Sequence, residues 1–247
     1  MKGDKNSIVY GRHPVVDLIG SGKSIDQVML QQGTRGEFEK ELRLLCRARS
    51  IPLKMVPKER LNRLTRSNHQ GVIALLSPID YYKLSDVLPL IYESSKVPLI
   101  LLLDGITDVR NFGSIARSAE CCGVDAIVIP EKGTARIHAD ALKTSAGALS
   151  KIRICRESSI QAALEYLQLS GVHVLASSLE AKKEIQTLDL QTPLAFIIGS
   201  EDEGVSPHLL RRADECFIIP QVGTTDSFNV AVATGIMLYE ALRQRGR

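Results

Sequence analysis

Three loops of this sequence carry polar side chains directly after apolar segments of the kind that form buried strands. They span residues 104–117, 199–204 and 219–229, and the first of them contains Asn111 and Arg117. The second places three acidic residues between two glycines, which is unusual for a plain turn, and glycine permits a close approach of the backbone to a ligand. Because ligands of parallel α/β sheets bind at the carboxyl ends of the strands, these loops predict a ligand site at one edge of a sheet.

Each loop also has a structural interpretation when it is taken alone. Asn111 could cap the helix that follows it, and Arg117 could pair with Glu120 on an exposed helix face. The acidic residues of the second loop could form a solvated turn. The functional interpretation therefore depends on the three loops occurring together.

The third loop leads into the final helix, which we predict over residues 228–243. Ser227 or Asp226 is a suitable cap for it, whereas Asn229, in the first turn, has no helix-propensity reason to be there. Apolar residues occur on more than one side of this helix: Val230, Val232, Ile236, Met237, Leu238, Tyr239 and Leu242. The pattern alone does not decide what packs against these residues, which could be other helices of the same chain or a second copy of the chain.

Strand and helix patterns alternate from residue 97 onward and predict an α/β fold with a parallel sheet and helices on both faces. The first strand, over 97–103, is uniformly apolar, as expected for a strand that is buried on both faces. The other predicted strands span residues 126–129, 172–176, 194–198 and 216–219. Predicted helices before the final one span residues 114–122, 140–149, 159–169 and 207–213.

The first 80 residues show a second, smaller alternation and predict a separate α/β domain. Its predicted strands span residues 7–10, 25–30, 53–56 and 72–76, with helices over 13–19, 37–49 and 58–66. Periodicity weakens over 81–95, which we interpret as a linker. The predicted organisation is therefore a first domain over 1–80, a linker over 81–95 and a second domain over 96–247.

Charge is divided unevenly between these parts. Residues 1–80 contain 14 lysines and arginines against 8 aspartates and glutamates, a net charge of +6, while residues 81–247 have a net charge of −3. A basic part beside a mildly acidic remainder suggests that the first domain contacts a polyanion. A solvated basic surface explains the same count equally well.

Other features exclude several classes of protein. There is no apolar run long enough for a membrane span and no signal-peptide pattern, so we expect a cytoplasmic protein. Five cysteines without a C-x-x-C pair favour reduced, buried thiols, and five scattered histidines give no support for a metal site. No G-x-G-x-x-G follows a strand, which argues against an ordinary dinucleotide fold.

In this order, the three loops resemble the signature motifs of the SpoU (TrmH) family of RNA 2′-O-methyltransferases, within the SPOUT superfamily. The matching segments are RNFGSIAR, IIGSEDEG and IPQVGTTDSFNVAVATG, so this resemblance covers about residues 97–247. The segments YGRHP, at 10–14, and NHQG, at 68–71, look like the RNA-binding domain of the bacterial 23S rRNA guanosine 2′-O-methyltransferase branch. The residues that match functional positions of the family motifs are Asn111, Arg117, Gly199, Glu203, Ser227 and Asn229.

The resemblance implies a SPOUT fold with a deep trefoil knot and a homodimer in which each active site borrows from the partner subunit. It implies S-adenosylmethionine as cofactor, held by backbone groups at Gly199, Ile219 and Phe228, and no metal. Phe228 replaces the usual leucine, and Ala231 replaces a common serine and lacks its hydroxyl. With the basic charge, the resemblance gives candidate RNA-binding residues: Arg12, His13, Arg60, Arg63 and Arg66.

The implied reaction is methylation of a ribose 2′-OH in RNA, with a guanosine of 23S rRNA as the expected target. Because this hydroxyl is a poor nucleophile, the enzyme has to align it with the methyl group and remove its proton. The family assigns the proton to the residue that matches Arg117, although arginine normally stays protonated. Positioning and charge stabilisation by Arg117 is the alternative, with Asn111, Glu203, Ser227 and Asn229 orienting the ribose and its phosphate.

Three other functions remain open at this stage. The first is methylation of tRNA, against which the separate first domain argues, and the second is RNA binding without catalysis. The third, with the resemblance set aside, is a metabolic enzyme built on a flavodoxin-like sheet.

Overall fold

The computed structural model describes residues 8–135, 137, 139–225 and 227–246. The chain divides into two compact units, Met1–Asp80 and Tyr81–Arg247, and each has its own hydrophobic core.

The first unit is a four-stranded sheet with three helices. Its sheet has the order β1-β4-β2-β3, in which β4 is antiparallel to both of its neighbours and β2 is parallel to β3. The elements are β1 (Ile8–Tyr10), α1 (Arg12–Gly20), β2 (Ile25–Gln31), α2 (Glu37–Ala48), β3 (Leu53–Val56), α3 (Lys58–Leu64) and β4 (Val72–Leu76).

The second unit is built on an eight-stranded sheet of order β10-β12-β9-β11-β6-β7-β8-β5, with parallel pairing throughout. Its strands are β5 (Tyr81–Tyr82), β6 (Leu99–Leu103), β7 (Ala126–Pro130), β8 (Arg153–Glu157), β9 (His173–Ser177), β10 (Lys183–Glu184), β11 (Leu194–Ile198) and β12 (Glu215–Ile218). Its α-helices are α4 (Leu84–Glu93), α5 (Val109–Cys121), α6 (Ala139–Thr144), α7 (Ile160–Leu169), α8 (Pro207–Leu210) and α9 (Val230–Gln244). The predicted α/β class with a parallel sheet is confirmed.

The segment over 81–95 is part of this second unit, although the sequence predicted only a linker there. β5 pairs with β8, and α4 contributes buried residues to the core that also contains α7. Pro89 interrupts the helical pattern of α4, and β5 is only two residues long, which explains the weak periodicity of the sequence.

β8 was not predicted because charged residues replace the expected apolar run. Arg156 is nevertheless buried, and its guanidinium carbon lies 3.3 Å from the centroid of the Tyr81 ring on β5. A stacked guanidinium on an aromatic face is a stabilising contact that an apolar pattern cannot indicate. The Tyr81 ring of the neighbouring edge strand therefore stabilises an arginine inside the sheet.

The cysteines follow the expected buried state only in part. Cys46 and Cys155 are buried, and burial raises the pKa of each thiol to about 12. Cys121, at the end of α5, is exposed, so the prediction of uniformly buried thiols is wrong at this position.

The C-terminal helix is fixed to the chain that precedes β6 and β11. The Arg245 guanidinium donates hydrogen bonds of 2.8–3.1 Å to the carbonyl oxygens of Leu190, Val97, Pro98 and Thr192. No helix in the described part of the chain is long and apolar enough to cross a membrane. The trefoil knot that the resemblance implies stays a prediction.

Candidate active site

Two asparagines and one glutamate from three separate segments of the chain form a hydrogen-bonded network. The Asn111 amide nitrogen donates to Oε2 of Glu201 at 2.9 Å, and the Asn229 amide nitrogen donates to Oε1 at 2.9 Å. The Asn229 nitrogen also lies 3.2 Å from Oδ1 of Asn111. We call these three residues the amide–carboxylate network. Its members are at least partly accessible to solvent, so a ligand can reach them.

Asp108 holds Asn111 in place by capping α5. One of its carboxylate oxygens accepts hydrogen bonds from the backbone N–H groups of Arg110, at 2.8 Å, and Asn111, at 2.9 Å. These bonds lower the pKa of Asp108 below its ordinary value, and the bond from the Asn111 N–H has the largest effect. Asn111 is therefore not the cap, and its side chain is available to the network.

Asn229 is the cap of α9, which begins at Val230. Its side-chain oxygen accepts from the backbone N–H groups of Ala231, at 3.0 Å, and Val232, at 3.4 Å, while its nitrogen faces the network. The expectation that Asn229 lies inside the helix and that Ser227 or Asp226 caps it is corrected by this geometry; Asp226 itself lies outside the described residues. Capping explains the asparagine that helix propensity could not.

The loop that carries Glu201 is a tight turn closed by backbone hydrogen bonds. Ser200 and Gly204 exchange two N–H···O bonds of 3.0 Å each. A Cβ atom on Gly199 would lie 1.9 Å from the carbonyl carbon of Gly204 and 2.1 Å from the nitrogen of Val205. Glycine at position 199 is therefore required for this turn to form.

The turn determines which acidic residue enters the network. Glu201 reaches both asparagines, whereas Glu203 donates its backbone N–H to the Ser200 hydroxyl at 3.1 Å. Among the described contacts, none joins the Glu203 carboxylate to Asn111 or Asn229. The sequence analysis selected Glu203 as a site residue, whereas the structure joins the carboxylate of Glu201 to the two asparagines. An acidic run between glycines does not show which carboxylate the turn directs towards them.

Arg117 is exposed on α5, more than one helical turn after Asn111. The ion pair with Glu120 that the sequence allowed does not form, because Glu120 instead pairs with Lys151 at 3.3 Å. Among the described contacts, Arg117 has no ion pair and no hydrogen bond to a member of the amide–carboxylate network.

The predicted cofactor-binding residues follow two strands of the same sheet. β11 ends at Ile198 and β12 at Ile218, and both are parallel to β9, which lies between them. Gly199 and Ile219 therefore lie at the same edge of the sheet. Phe228 comes directly before the cap of α9 and is 40% exposed, while Ser227 is exposed.

In the first unit, a hydrogen bond joins the two segments that resemble the RNA-binding domain, 10–14 and 68–71. The Gln70 side-chain oxygen accepts from the backbone N–H of Arg12 at 3.0 Å, at the start of α1. His69 is buried and accepts from the N–H of Gly71 through Nδ1, so its Nε2 carries the proton that is donated to Asn62 of α3. The predicted RNA-binding residues are all exposed: Arg12, His13, Arg60, Arg63 and Arg66.

The described residues contain no group of three or more histidines, cysteines or acidic residues arranged to hold a metal ion.

Comparison with known families agrees with the two units. The SpoU rRNA Methylase family matches residues 98–239, and a family described as RNA 2′-O ribose methyltransferase substrate binding matches residues 8–82. The chain belongs to the SpoU rRNA methylase family. Its two domains are those of an RNA 2′-O-ribose methyltransferase.

Relatives and solved structures extend the similarity over nearly the full length of this SpoU protein. A protein from Staphylococcus saprophyticus, named as a TrmH family tRNA/rRNA methyltransferase, is 31% identical over 96% of each chain. An AdoMet-bound rRNA methyltransferase from Sinorhizobium meliloti is 26% identical with a TM-score of 0.62, covering 96% of this chain and 87% of that one. The SpoU methyltransferase AviRb from Streptomyces viridochromogenes, 21% identical with a TM-score of 0.62 over 99% and 95% of the two chains, shares the fold.

Gly199→Ala is expected to open the turn that carries Glu201, because the new methyl group would overlap the backbone of Gly204 and Val205. Hydrogen exchange at the amides of Ser200 and Gly204 should become roughly tenfold faster or more, as expected for an overpacked site. Gly20→Ala is the control, since a methyl group there meets nothing within 4 Å. Unchanged protection at both amides of the Gly199→Ala variant would show that the turn tolerates a side chain.

Proposed function

We propose that this chain transfers a methyl group from S-adenosylmethionine to the ribose 2′-OH of a guanosine in 23S rRNA. The observation that carries the catalytic part is the amide–carboxylate network, which joins polar side chains from three separate segments of the chain. Because rRNA is modified where ribosomes are assembled, the proposed site of action is the cytoplasm.

The choice of rRNA is supported by the length of the shared structure. The neighbour named as an rRNA methyltransferase covers 96% of this chain. Two neighbours whose names refer to tRNA each cover 61% of this chain. They are a TrmH/SpoU tRNA modifying enzyme from A. aeolicus and a structure on methylation of C/U34 of tRNA. Relatives named as tRNA/rRNA methyltransferases keep tRNA as the second candidate substrate.

The residues proposed to hold the cofactor, Gly199, Ile219 and Phe228, suit an adenosine-containing molecule. Gly199 has no side chain, Ile219 is half-buried, and Phe228 offers a partly exposed ring as an apolar wall. These residues combine backbone hydrogen-bonding groups with apolar contacts, as small-molecule sites in proteins do. When bound there, S-adenosylmethionine supplies an activated methyl group.

The network can hold the reacting hydroxyl. In the described contacts, each oxygen of Glu201 accepts one amide hydrogen bond, and a carboxylate oxygen has two acceptor positions. One position on each oxygen is therefore available to a ribose hydroxyl. We assign the orienting role to Glu201 together with Asn111 and Asn229, in place of Glu203.

Arg117 provides a cation for the RNA. Its guanidinium is exposed and is not held by Glu120, so it can contact an RNA phosphate and help to position the ribose. Its distance along α5 from the network is consistent with action on the site of a second subunit.

A homodimer would also cover the apolar stripe of α9. Within one chain, Val232 is 52% and Tyr239 64% exposed, and Ile236 between them is half-buried. These residues follow the spacing i, i+4 and i+7 and therefore form one stripe, while Met237 and Leu238 are buried within the chain. A second copy of the chain is the proposed cover, through a two-fold self-complementary interface.

Arg117→Ala is expected to lower methyl transfer to RNA roughly a hundredfold or more, because the reacting groups lose their alignment. Cofactor affinity, measured by calorimetry, should be unchanged, since Arg117 lies on α5 and is not one of the residues proposed to hold the cofactor. Arg117→Lys should also be slow, because lysine lacks the planar guanidinium fork of arginine.

The control variant, Arg153→Ala, removes another exposed arginine and should keep normal turnover. Normal turnover of Arg117→Ala would remove Arg117 from the mechanism, and no transfer by the wild-type chain to any RNA would refute the proposed function.

Substituting both Arg60 and Arg63 by alanine is expected to weaken RNA binding through lost phosphate contacts on α3. For single-stranded RNA, the slope of log affinity against log salt should become shallower by about 1.4, about 0.7 for each contact. The matched control substitutes the exposed Lys40 and Arg47 of α2 and should leave the slope unchanged. Equal slopes for the two variants would show that α3 is not the RNA anchor.

A further inference from the structure

A pocket of about 620 Å³ lies between the start of α5 and α6, and its lining residue Arg110 directly precedes Asn111 of the amide–carboxylate network. The two helices are in close contact, because a Cβ atom on Gly113 would lie 2.7 Å from Cβ of Thr144. The pocket walls are therefore held at a fixed spacing. Its lining residues are Thr107, Asp108, Val109, Arg110, Asp140, Lys143 and Thr144.

We infer that this pocket holds a backbone phosphate of the RNA, next to the ribose that is methylated. The inference rests on the proposed function and adds a subsite to it. Arg110 and Lys143 supply the two cations of the pocket, one from each helix. An arginine fork and an ammonium group together suit a phosphodiester, which carries one negative charge and two free oxygens.

The two cations of the pocket stay accessible to solvent beside its acidic residues. Asp108 uses one oxygen for the two backbone N–H groups of α5, and its other oxygen lies 3.9 Å from the Arg110 guanidinium. The Arg110 side chain is still 86% exposed. Lys143 is exposed and has no ion pair in the described part of the chain. Both cations therefore remain available to a ligand.

Arg110 connects the pocket to the residues that hold the ribose. Arg110 directly precedes Asn111 on α5, so the two side chains leave adjacent positions of the first turn. Every ribose in RNA carries a phosphate on each side. A ribose held by Asn111, Glu201 and Asn229 brings one of these phosphates toward Arg110 and Lys143. Asp108 then acts as a positioning residue, because it fixes the start of the helix that carries both Arg110 and Asn111.

The test compares four variants of the full-length chain with the wild type: Arg110→Ala, Arg110→Lys, Lys143→Ala and the control Lys182→Ala, which removes an exposed lysine that does not line the pocket. The substrates are unmodified transcripts of 23S rRNA and of tRNA. The readouts are RNA affinity as a function of salt, methyl transfer, and cofactor affinity by calorimetry.

Arg110→Ala and Lys143→Ala should each weaken RNA affinity roughly tenfold, as expected for one lost charge-assisted hydrogen bond. Each should also make the salt slope shallower by about 0.7, whereas a purely structural defect would leave the slope unchanged. Arg110→Lys should keep the slope and recover only part of the affinity. Cofactor affinity should be normal in all variants.

Unchanged slopes for both alanine variants, with normal methyl transfer, would overturn the inference and leave the proposed function intact. The same shallower slope in Lys182→Ala would also overturn it, because the effect would then not be specific to the pocket. Absence of methyl transfer by the wild-type chain to either RNA would overturn the proposed function and this inference together.

Discussion

The carboxylate of Glu201 accepts hydrogen bonds from two side-chain amides that are far apart in the sequence, those of Asn111 and Asn229. Each asparagine belongs to the start of a helix: Asn111 lies in the first turn of α5 and Asn229 caps α9. One carboxylate thereby joins the loop after β11 to the beginnings of both helices. The arrangement of the site depends on this carboxylate, because without it the two side-chain amides would have no common hydrogen-bond acceptor.

The backbone around this carboxylate leaves little freedom. Gly199 contacts the backbone of Gly204 and Val205 so closely that no side chain fits, and the turn is closed by the bonds between Ser200 and Gly204. Asp104, at the end of β6, accepts from the N–H of Ser206 just beyond the turn at 2.9 Å. The neighbouring strands β6 and β11 therefore hold the turn at the sheet edge where α5 also begins. The parallel sheet gives the site its position, and the turn gives Glu201 its direction.

Much of the fold could be predicted from the sequence, because uniformly apolar runs such as β6 and β11 indicate buried parallel strands. β8 and α4 could not, since Arg156 is accommodated by the Tyr81 ring and Pro89 interrupts the pattern. The sequence predicted that its three polar segments form one site, and Asn111, Glu201 and Asn229, one from each segment, are joined by hydrogen bonds. The choice between Glu201 and Glu203 was not available to sequence reasoning, because it depends on hydrogen bonds within a turn that propensities do not describe. Asn229 illustrates the same point, since its capping role follows from where α9 begins.

The most direct test of this account compares Glu201→Gln with Glu203→Gln in steady-state methyl transfer to RNA. In Glu201→Gln, one carboxylate oxygen becomes an NH₂ group that cannot accept the amide of Asn111 or Asn229, so the network loses a bond. The account predicts that kcat of Glu201→Gln falls roughly a hundredfold, as expected for misplaced reacting groups. Glu203→Gln should retain a kcat close to that of the wild type. A large loss in Glu203→Gln with near-normal turnover of Glu201→Gln would contradict the assignment of the site.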